Sequence, residues 1–571
     1  MIGVICREDQ SAVVEEFFEL FKTPWETYVR GRQYSVVLTT TDEVPQTNAK
    51  LVVSFGAGPK SIDACNGLAV FPQCKQSPIK YQDLWLPIYG DLALVDCAER
   101  GTTVVSGAQG NVGVRIPLAS GAALIRLGYD LFDEVRCLIS NGQPIGHAFV
   151  PTLDLHIELL RSWILAEEIA FVEIPPVPAE HRFMVCLTHD IDFVGIRNHK
   201  FDHTMWGFLY RSTIGAFRRL LSGRIDFGKF LKTVKAALSL PMVLLGWMKD
   251  FWSPFEWYLE VEEGLPTTYF LIPFKGRAGE NVPGKNASRR AAKYDVRNLS
   301  EWTRTIQKRG SEIGVHGIDA WHSSEKGRLE LNRIEEVAGV PTKGIRMHWL
   351  LQNAKTHATL EAAGYNYDAS AGYNETVGYR NGTTQVFRPP QANKLLELPT
   401  HIQDGALFYP ARLDLSEAEA NDICNRLIDN SKSLGGVLTL IWHDRSHGPE
   451  RFWGEFYVNL LKTLKDSGAY FGSAGATVEW FRKRREVRFT QSENGDGMRA
   501  RLGYEGEEIQ PPLKVRMHFP ALSPPMRGAG EEIPGKVVDL AWNGKCSDSA
   551  ELKAASQFLE IGPSVKAVPQ L

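Results

Sequence analysis

Residues 183–193 read FMVCLTHDIDF, an apolar run that ends in two carboxylates. Because side chains alternate along an extended strand, Asp190 and Asp192 would leave the end of that strand toward the same side. One carboxylate can hold a metal ion while the other takes a proton from water, which is the division of labour in a metal-assisted hydrolase. Two aspartates alone prove nothing, so the rest of the chain must supply their partners.

The composition is that of an ordinary globular protein. The 571 residues are 43% hydrophobic and 23% charged. A net charge of −3 does not provide a positive field that would attract nucleic acid, so we do not expect nucleic acid as a partner. The eight cysteines include no CxxC pair, which argues against a zinc ribbon. The charged start of the chain does not have the features of a secretory signal, so we expect a cytoplasmic protein with reduced thiols.

Three regions are expected along the chain. Residues 1–175 mix strand-like and helical runs, which predicts an N-terminal α/β domain of unassigned role. From 180 to 485, short apolar strands alternate with helical patterns, which predicts a parallel sheet or barrel. Residues 486–571 are richer in Gly, Pro and charge, and they predict a small β-rich module or a partly disordered tail.

The predicted strands and helices of the central region define where chemistry would lie. The strands are expected at 183–188, 267–272, 312–315, 396–398 and 437–441. The helices are expected at 299–308, 325–337, 356–363 and 452–466. Barrels of this kind carry their chemistry at the C-terminal ends of the strands, which is where the two aspartates lie.

Histidines follow two later strands. His316 ends the strand at 312–315, and His322 comes six residues later. Catalytic zinc typically takes three protein ligands and a water, so Asp192, His316 and His322 form a candidate set. The alternative is that these histidines are only hydrogen-bonded in a loop. His443 follows the strand at 437–441 and could act as a general acid, because an unperturbed imidazole titrates near neutral pH.

Taken in order, these motifs resemble the polysaccharide deacetylase family, also called NodB-homology or carbohydrate esterase 4. The resemblance covers about residues 180–485 and includes the segment LEAAGYNYDAS at 360–370. It implies an α/β fold with an irregular (β/α)7-type barrel and a divalent metal, usually Zn²⁺. By position in the motifs, it implies that Asp190 is the catalytic base and that Asp192 and His316 bind the metal. It also implies that Arg346 orients the base and that His443 is the general acid.

The chain departs from the family pattern in three places. Ile191 separates the two aspartates, as in an atypical Asp-x-Asp branch. Ala320 occupies the position of the second histidine ligand, so either His322 or Asp319 would complete the metal site. The segment Arg346-Met347-His348-Trp349 stands where the family has Arg-Pro-Pro-Tyr.

The predicted function is removal of N-acetyl groups from a saccharide by a metal-dependent hydrolase. The substrate would be a surface glycan or a lipid-linked intermediate. Two alternatives stay open: hydrolysis of a small cyclic amide or imide on the same fold, and a non-catalytic glycan-binding protein.

The insertion at 204–252 is rich in aromatic and basic residues. It is expected to form helices that pack over the barrel as a lid. The alternative is a basic amphipathic surface that gives the protein a peripheral membrane contact, which would suit a lipid-linked substrate.

Overall fold

The computed structural model describes the chain except for residues 44, 46, 74–76, 82, 98–100, 285–286, 493–498, 520–535, 546–558, 562–564 and 568–571. The chain divides into two compact units. The first comprises Met1–Glu180, Asn381–Thr383 and Trp480–Leu571. The second comprises His181–Arg380 and Thr384–Glu479.

The N-terminal part of the first unit is a mixed α/β structure. Its strands are β1 (Ile2–Ile5), β2 (Trp25–Thr27), β3 (Val36–Thr39), β4 (Leu51–Phe55), β5 (Leu68–Gln73), β6 (Ile79–Tyr81), β7 (Leu84–Leu86), β8 (Leu92–Cys97), β9 (Thr102–Gly107), β10 (Gly110–Pro117), β11 (Ala123–Leu127) and β12 (Phe171–Glu173). Its helices are α1 (Ser11–Phe21), α2 (Ser61–Cys65), α3 (Leu131–Asn141) and α4 (Thr152–Ala166). Nine of the strands form one sheet in the order β2-β1-β3-β4-β11-β10-β9-β6-β7, which is parallel from β2 to β11.

The second unit carries strands that alternate with helices. The strands are β13 (Phe183–Ile191), β14 (Thr267–Leu271), β15 (Glu312–Gly317), β16 (Gly344–Met347), β17 (Tyr367–Asp368), β18 (Leu396–Glu397), β19 (Ile402–Gln403), β20 (Val437–Ile441) and β21 (Ala469–Phe471). The helices are α5 (His203–Tyr210), α6 (Ala216–Leu221), α7 (Phe227–Leu245), α8 (Pro254–Val261), α9 (Ser300–Lys308), α10 (Ser324–Ala338), α11 (Thr356–Ala363), α12 (Asp404–Phe408), α13 (Glu417–Leu434) and α14 (Trp453–Asp466), and α15 (Ala474–Glu486) continues into the first unit.

These strands form a parallel sheet in the order β18-β17-β16-β15-β14-β13-β20-β19, with β21 also paired to β13. The predicted α/β class with a parallel sheet is confirmed, and the sheet curls into a half-barrel. The five predicted strands each lie within a few residues of an observed one. β13 extends to Ile191, so Asp190 lies inside the strand and Asp192 follows it directly.

The C-terminal strands join the first unit. They are β22 (Arg488–Ser492), β23 (Arg499–Gly503), β24 (Leu513–Phe519), β25 (Lys536–Trp542), β26 (Leu559–Ile561) and β27 (Val565–Ala567). β24 pairs antiparallel with both β12 and β25, so this segment shares a sheet with the N-terminal part of the chain. Much of the region 486–571, predicted as a β-rich module or a partly disordered tail, falls outside the described residues.

The insertion between β13 and β14 is helical. α5 continues through a π-helical turn at Arg211–Gly215 into α6, and α7 follows. Both arms contribute to one apolar cluster that contains Met205, Phe208, Leu240 and Val243. Over the described part of the chain, no helix combines the length and the apolar character needed to span a bilayer.

Candidate active site

Three ligand atoms converge beyond the C-terminal ends of β13, β15 and β16. Asp192 Oδ1 lies 3.4 Å from His316 Nε2 and 3.2 Å from His348 Nδ1. The two imidazole nitrogens are 2.9 Å apart. The three side chains thus form a compact candidate metal centre.

The spacing of these atoms fits a divalent cation. Metal–ligand bonds of about 2.0–2.1 Å at tetrahedral angles place ligand atoms about 3.3 Å apart, close to the observed triangle. Asp192 Oδ1 is buried and accepts no hydrogen bond from the described residues, which leaves an orphaned anionic atom in the centre. Burial alone would raise the pKa of Asp192, but the imidazoles of His348 and His316 outweigh it and hold that pKa well below its usual value. One carboxylate and two imidazoles are a donor set suited to Zn²⁺.

The parallel register of β15 and β16 brings the two histidines together. His316 pairs with Arg346 across these strands, and His348 comes two residues later, on the same side. The Arg346 carbonyl lies 3.0 Å from His316 Nδ1. Since a carbonyl can only accept, Nδ1 carries the proton and Nε2 keeps a lone pair for a metal.

His322 does not join this group. Its Nε2 lies 3.2 Å from Asp319 Oδ1, an atom that also accepts the backbone N–H of Glu280 at 2.7 Å. The chain turns after β15, and the backbone N–H of His322 donates to the Asp319 carbonyl. The structure therefore does not bring His322 to Asp192 and His316 and places His348 beside them instead.

Asp190 is fixed by an arginine. Arg346 Nη1 donates to Asp190 Oδ1 at 2.9 Å and to Thr188 Oγ1 at 2.7 Å, and its Nε donates to the Ala369 carbonyl at 2.9 Å. Burial would raise the pKa of Asp190, but the Arg346 cation lowers it overall, and His316 adds to this effect. Asp190 is thus held as a carboxylate, with Oδ2 3.9 Å from His316 Nε2.

His443 is paired with a buried carboxylate. Its Nδ1 lies 2.6 Å from Asp404 Oδ1, and its backbone N–H donates to Asp404 Oδ2 at 2.8 Å. Ser446 Oγ also donates to Asp404. Burial lowers the pKa of His443, but Asp404 outweighs it and raises the pKa to about 10. With Nδ1–H committed to Asp404, Nε2–H is the proton that His443 can give away.

One cavity of about 550 Å³ is lined by the three candidate ligands, the candidate base and the candidate acid: Asp192, His316, His348, Asp190 and His443. Its wall also carries the side chains of Trp349, Tyr409 and several arginines. Trp349 and Leu350, which follow His348, both have left-handed backbone conformations with φ of 67° and 53°. Such conformations are costly for bulky residues and are often found at functional sites.

Sequence reasoning missed His348 and Asp404. A signal for His348 was available, since it stands two residues after Arg346 and alternation would place both on one side of the strand. Asp404 follows β19, a strand of two residues that carries no readable alternation.

Comparison with known proteins gives likeness in structure only. No family model matches the chain, and no curated protein matches its sequence. A protein from Mycobacterium smegmatis described as a polysaccharide deacetylase is 18% identical at a TM-score of 0.33, covering 57% of this chain and 100% of that one. A similarly described protein from Pseudomonas aeruginosa PAO1 is 13% identical at a TM-score of 0.32, covering 54% and 94%. The Puue allantoinase is also 13% identical at a TM-score of 0.32, covering 54% and 92%. TM-scores this low do not carry a functional argument, which therefore rests on the site.

Proposed function

We propose that this protein is a metal-dependent hydrolase that removes N-acetyl groups from a saccharide, on the atypical Asp-x-Asp branch of the polysaccharide deacetylases. One observation carries the proposal. A three-ligand centre, an aspartate fixed by an arginine and a histidine paired with a carboxylate line the same cavity. This is the set of groups needed to hydrolyse an amide.

The residues of the centre would be Asp192, His316 and His348. A divalent cation held there would polarise the acyl carbonyl and lower the pKa of water toward neutrality. Asp190 then serves as the general base. Its Oδ1 accepts from Arg346, which leaves Oδ2 to take the proton of the attacking water.

His443 serves as the general acid. The leaving group of an amide is an amine, which needs a proton before it can depart. Because Asp404 raises the pKa of His443 to about 10, the imidazole stays protonated at neutral pH and presents Nε2–H to the cavity. Proton donation of this kind contributes about 10²–10⁴-fold in rate.

The test is acetate release from N-acetylated chito-oligosaccharides after loading with Zn²⁺. We expect Asp190→Asn and His348→Ala to abolish release. His322→Ala is the matched control, since it removes an imidazole that lies outside the centre, and we expect it to stay active. Full activity in Asp190→Asn would refute the proposal.

A screen of small cyclic imides, a metal analysis and a glycan-binding measurement separate the alternatives. Hydrolysis of small cyclic imides, without acetate release from any sugar, would favour the small amidohydrolase. Glycan binding without stoichiometric metal and without turnover would favour a binding protein.

A further inference from the structure

Three arginines on the cavity wall lie away from the proposed metal ligands. Arg211 begins the π-helical turn of the insertion, while Arg445 and Arg451 lie in the segment between β20 and α14. Arg451 is buried, and the other two are partly exposed toward the cavity.

Some N–H donors of these guanidinium groups have no hydrogen-bond acceptor among the described residues. Arg211 Nε and Nη2 and Arg451 Nε are buried and make no hydrogen bond. The Arg445 guanidinium stacks 3.6 Å from the centre of the Phe193 ring and has no hydrogen-bond acceptor within the described chain. A buried donor left unsatisfied is unfavourable, so these donors are free to pair with acceptors from a ligand.

Nearby carboxylates neutralise the cluster only in part. Glu450 Oε1 forms an ion pair with Arg211 Nη2 at 3.7 Å. Both oxygens of Asp444 are buried without a donor in the described structure. Burial also lowers the pKa of Arg211 to about 10, and the neighbouring cations Arg451 and Arg445 contribute. Among the described residues Glu450 is the one carboxylate that forms an ion pair with these three arginines, so the cluster keeps an excess of positive charge.

We propose that Arg211, Arg445 and Arg451 bind an anionic oxygen group, a phosphate or a carboxylate, on the saccharide substrate. This inference rests on the proposed function. The planar guanidinium matches both anions through paired N–H donors. The hydroxyl of the half-buried Tyr409 lies 2.7 Å from Arg451 Nη2. Burial would raise the pKa of Tyr409, but the charges of Arg451, Arg445 and His443 lower it, so these groups lie close together. The anion would thus lie near the general acid.

The test is calorimetric binding of inorganic phosphate and of glucuronate, each to the metal-free protein, so that no turnover is needed. We expect Arg445→Gln and Arg211→Gln to weaken binding by about tenfold or more. Arg211 is partly exposed, so its variant should fold even if a variant of buried Arg451 does not. Arg304→Gln, an exposed arginine on α9, is the matched control and should bind like the wild type.

The outcomes are distinct. Phosphate binding without glucuronate binding identifies a phosphorylated sugar, and the reverse identifies a uronic acid. Binding must survive in His316→Ala, since this variant alters the metal centre and leaves the arginines intact. Anion binding that is equal in the wild type and the arginine variants, or absent from the wild type, overturns the proposal. Anion binding without deacetylation of any sugar would instead overturn the proposed function alone.

A second observation concerns the outer faces of the helical insertion. More than half of the exposed large hydrophobic residues in the described chain lie between 201 and 248. On α5, the π-helical turn and α6 they are Trp206, Tyr210, Ile214, Phe217 and Leu221. On α7 and just beyond it they are Phe227, Leu231, Leu238, Met242, Leu245, Trp247 and Met248.

The spacing shows two apolar stripes that face away from the core. Within each arm, consecutive exposed residues are mostly three or four positions apart in the sequence, which places them along one helix face. The opposite faces already pack into the apolar cluster of the insertion. Helices that are apolar on both faces need a second apolar partner, because exposed patches of this size mark an interaction surface.

The charges beside the stripes indicate the partner. Arg218 and Lys235 are exposed and have no acidic partner among the residues described. Lys232 and Lys249 are also exposed, and each forms an ion pair, with Glu455 and Glu256 respectively. Aromatic and aliphatic residues flanked by cations match the interface of an anionic lipid bilayer.

We propose that this surface binds an anionic membrane. The same insertion supplies His203 and Arg211 to the cavity wall, so a saccharide carried on a membrane lipid would be presented next to the site.

The test is sedimentation with vesicles of phosphatidylcholine, with or without about one third phosphatidylglycerol. We expect binding to the anionic vesicles that weakens about tenfold in Leu238→Ser/Trp247→Ser and in Arg218→Gln/Lys235→Gln. Leu329→Ser/Val458→Ser removes exposed hydrophobic residues elsewhere in the same unit and should bind normally.

Equal binding by the stripe variants and this control would overturn the membrane proposal. So would a wild-type protein that does not sediment and instead forms a dimer dispersed by Leu238→Ser/Trp247→Ser, because the stripes would then cover a second copy of the chain. Since no catalysis is measured, neither result bears on the proposed function.

Discussion

The pairing of His443 with Asp404 can be tested by replacing Asp404 with asparagine. The wild-type imidazole is held at a pKa of about 10 because the carboxylate outweighs the effect of burial. In Asp404→Asn the counter-charge is gone while the burial remains, so we expect the pKa of His443 to fall to about 6.5 or below.

The size of the effect on activity then depends on pH. At pH 8, a histidine with a pKa of about 6.5 is about 3% protonated, so the general acid is present in about one thirtieth of the molecules. At pH 6 it is mostly protonated, and the loss should be only a fewfold. In the wild type the acid persists until the pH approaches 10, so the alkaline limb of kcat should move down by about 3.5 pH units or more.

Two measurements check this reasoning. NMR titration of the His443 ring, assigned with His443→Gln, reports the pKa without any substrate. The pH profile of acetate release reports its consequence. A His443 pKa that stays above 9 in Asp404→Asn would refute the electrostatic argument. A loss of activity that is equal at pH 6 and pH 8 would show that Asp404 acts only by positioning the ring.

Three further predictions follow from the geometry. His348→Ala should reduce bound zinc to well below one equivalent by elemental analysis, whereas His322→Ala should keep it, and the opposite result would restore the set predicted from the sequence. Arg346→Met should lower the free energy of unfolding in urea by about 3–5 kcal/mol, because it leaves the Asp190 carboxylate buried without its cation; a change below about 1 kcal/mol would contradict this. The facing carboxyls of Asp368 and Glu397 both have their pKa raised to about 8, mainly by burial. The folded state therefore keeps protons on these carboxyls that the unfolded chain releases above about pH 4. The free energy of unfolding should then fall as the pH rises from about 4 to about 8, by about 1.4 kcal/mol per pH unit for each proton retained. Urea titrations at several pH values should show a shallower dependence in Glu397→Gln, and an unchanged slope would reject the assignment.

Much of the second unit was predictable because its strands are short, apolar and separated by helical stretches. β13 and β20 are fully buried, so they read as continuous apolar runs. The alternation that predicts Asp190 and Asp192 on one side is a local property of a strand, and in the structure both side chains line the same cavity. The very short strands β17 and β19 carry too few residues for any periodic signal.

The partners of the site residues were harder to predict, because they depend on strand order. Asp404 reaches His443 only because β19 lies beside β20, with Gln403 opposite Ile441. No local pattern encodes that neighbour relation, since 39 residues separate the two side chains. The sharing of one sheet by β12 and the C-terminal strands is non-local in the same way.

In the proposed centre, strand register and not the sequence motif selects the third ligand. The family pattern directs attention to residues shortly after His316, where this chain has Ala320 and then His322. The turn after β15 takes His322 to Asp319, while the parallel register carries His348 to the centre. The chain differs from the pattern of the family it resembles at two positions: it has Ala320 in place of a histidine and His348 in place of a proline. One explanation covers both differences. In the proposed centre, a ligand absent after one strand is supplied after the next, and the three-ligand geometry is kept.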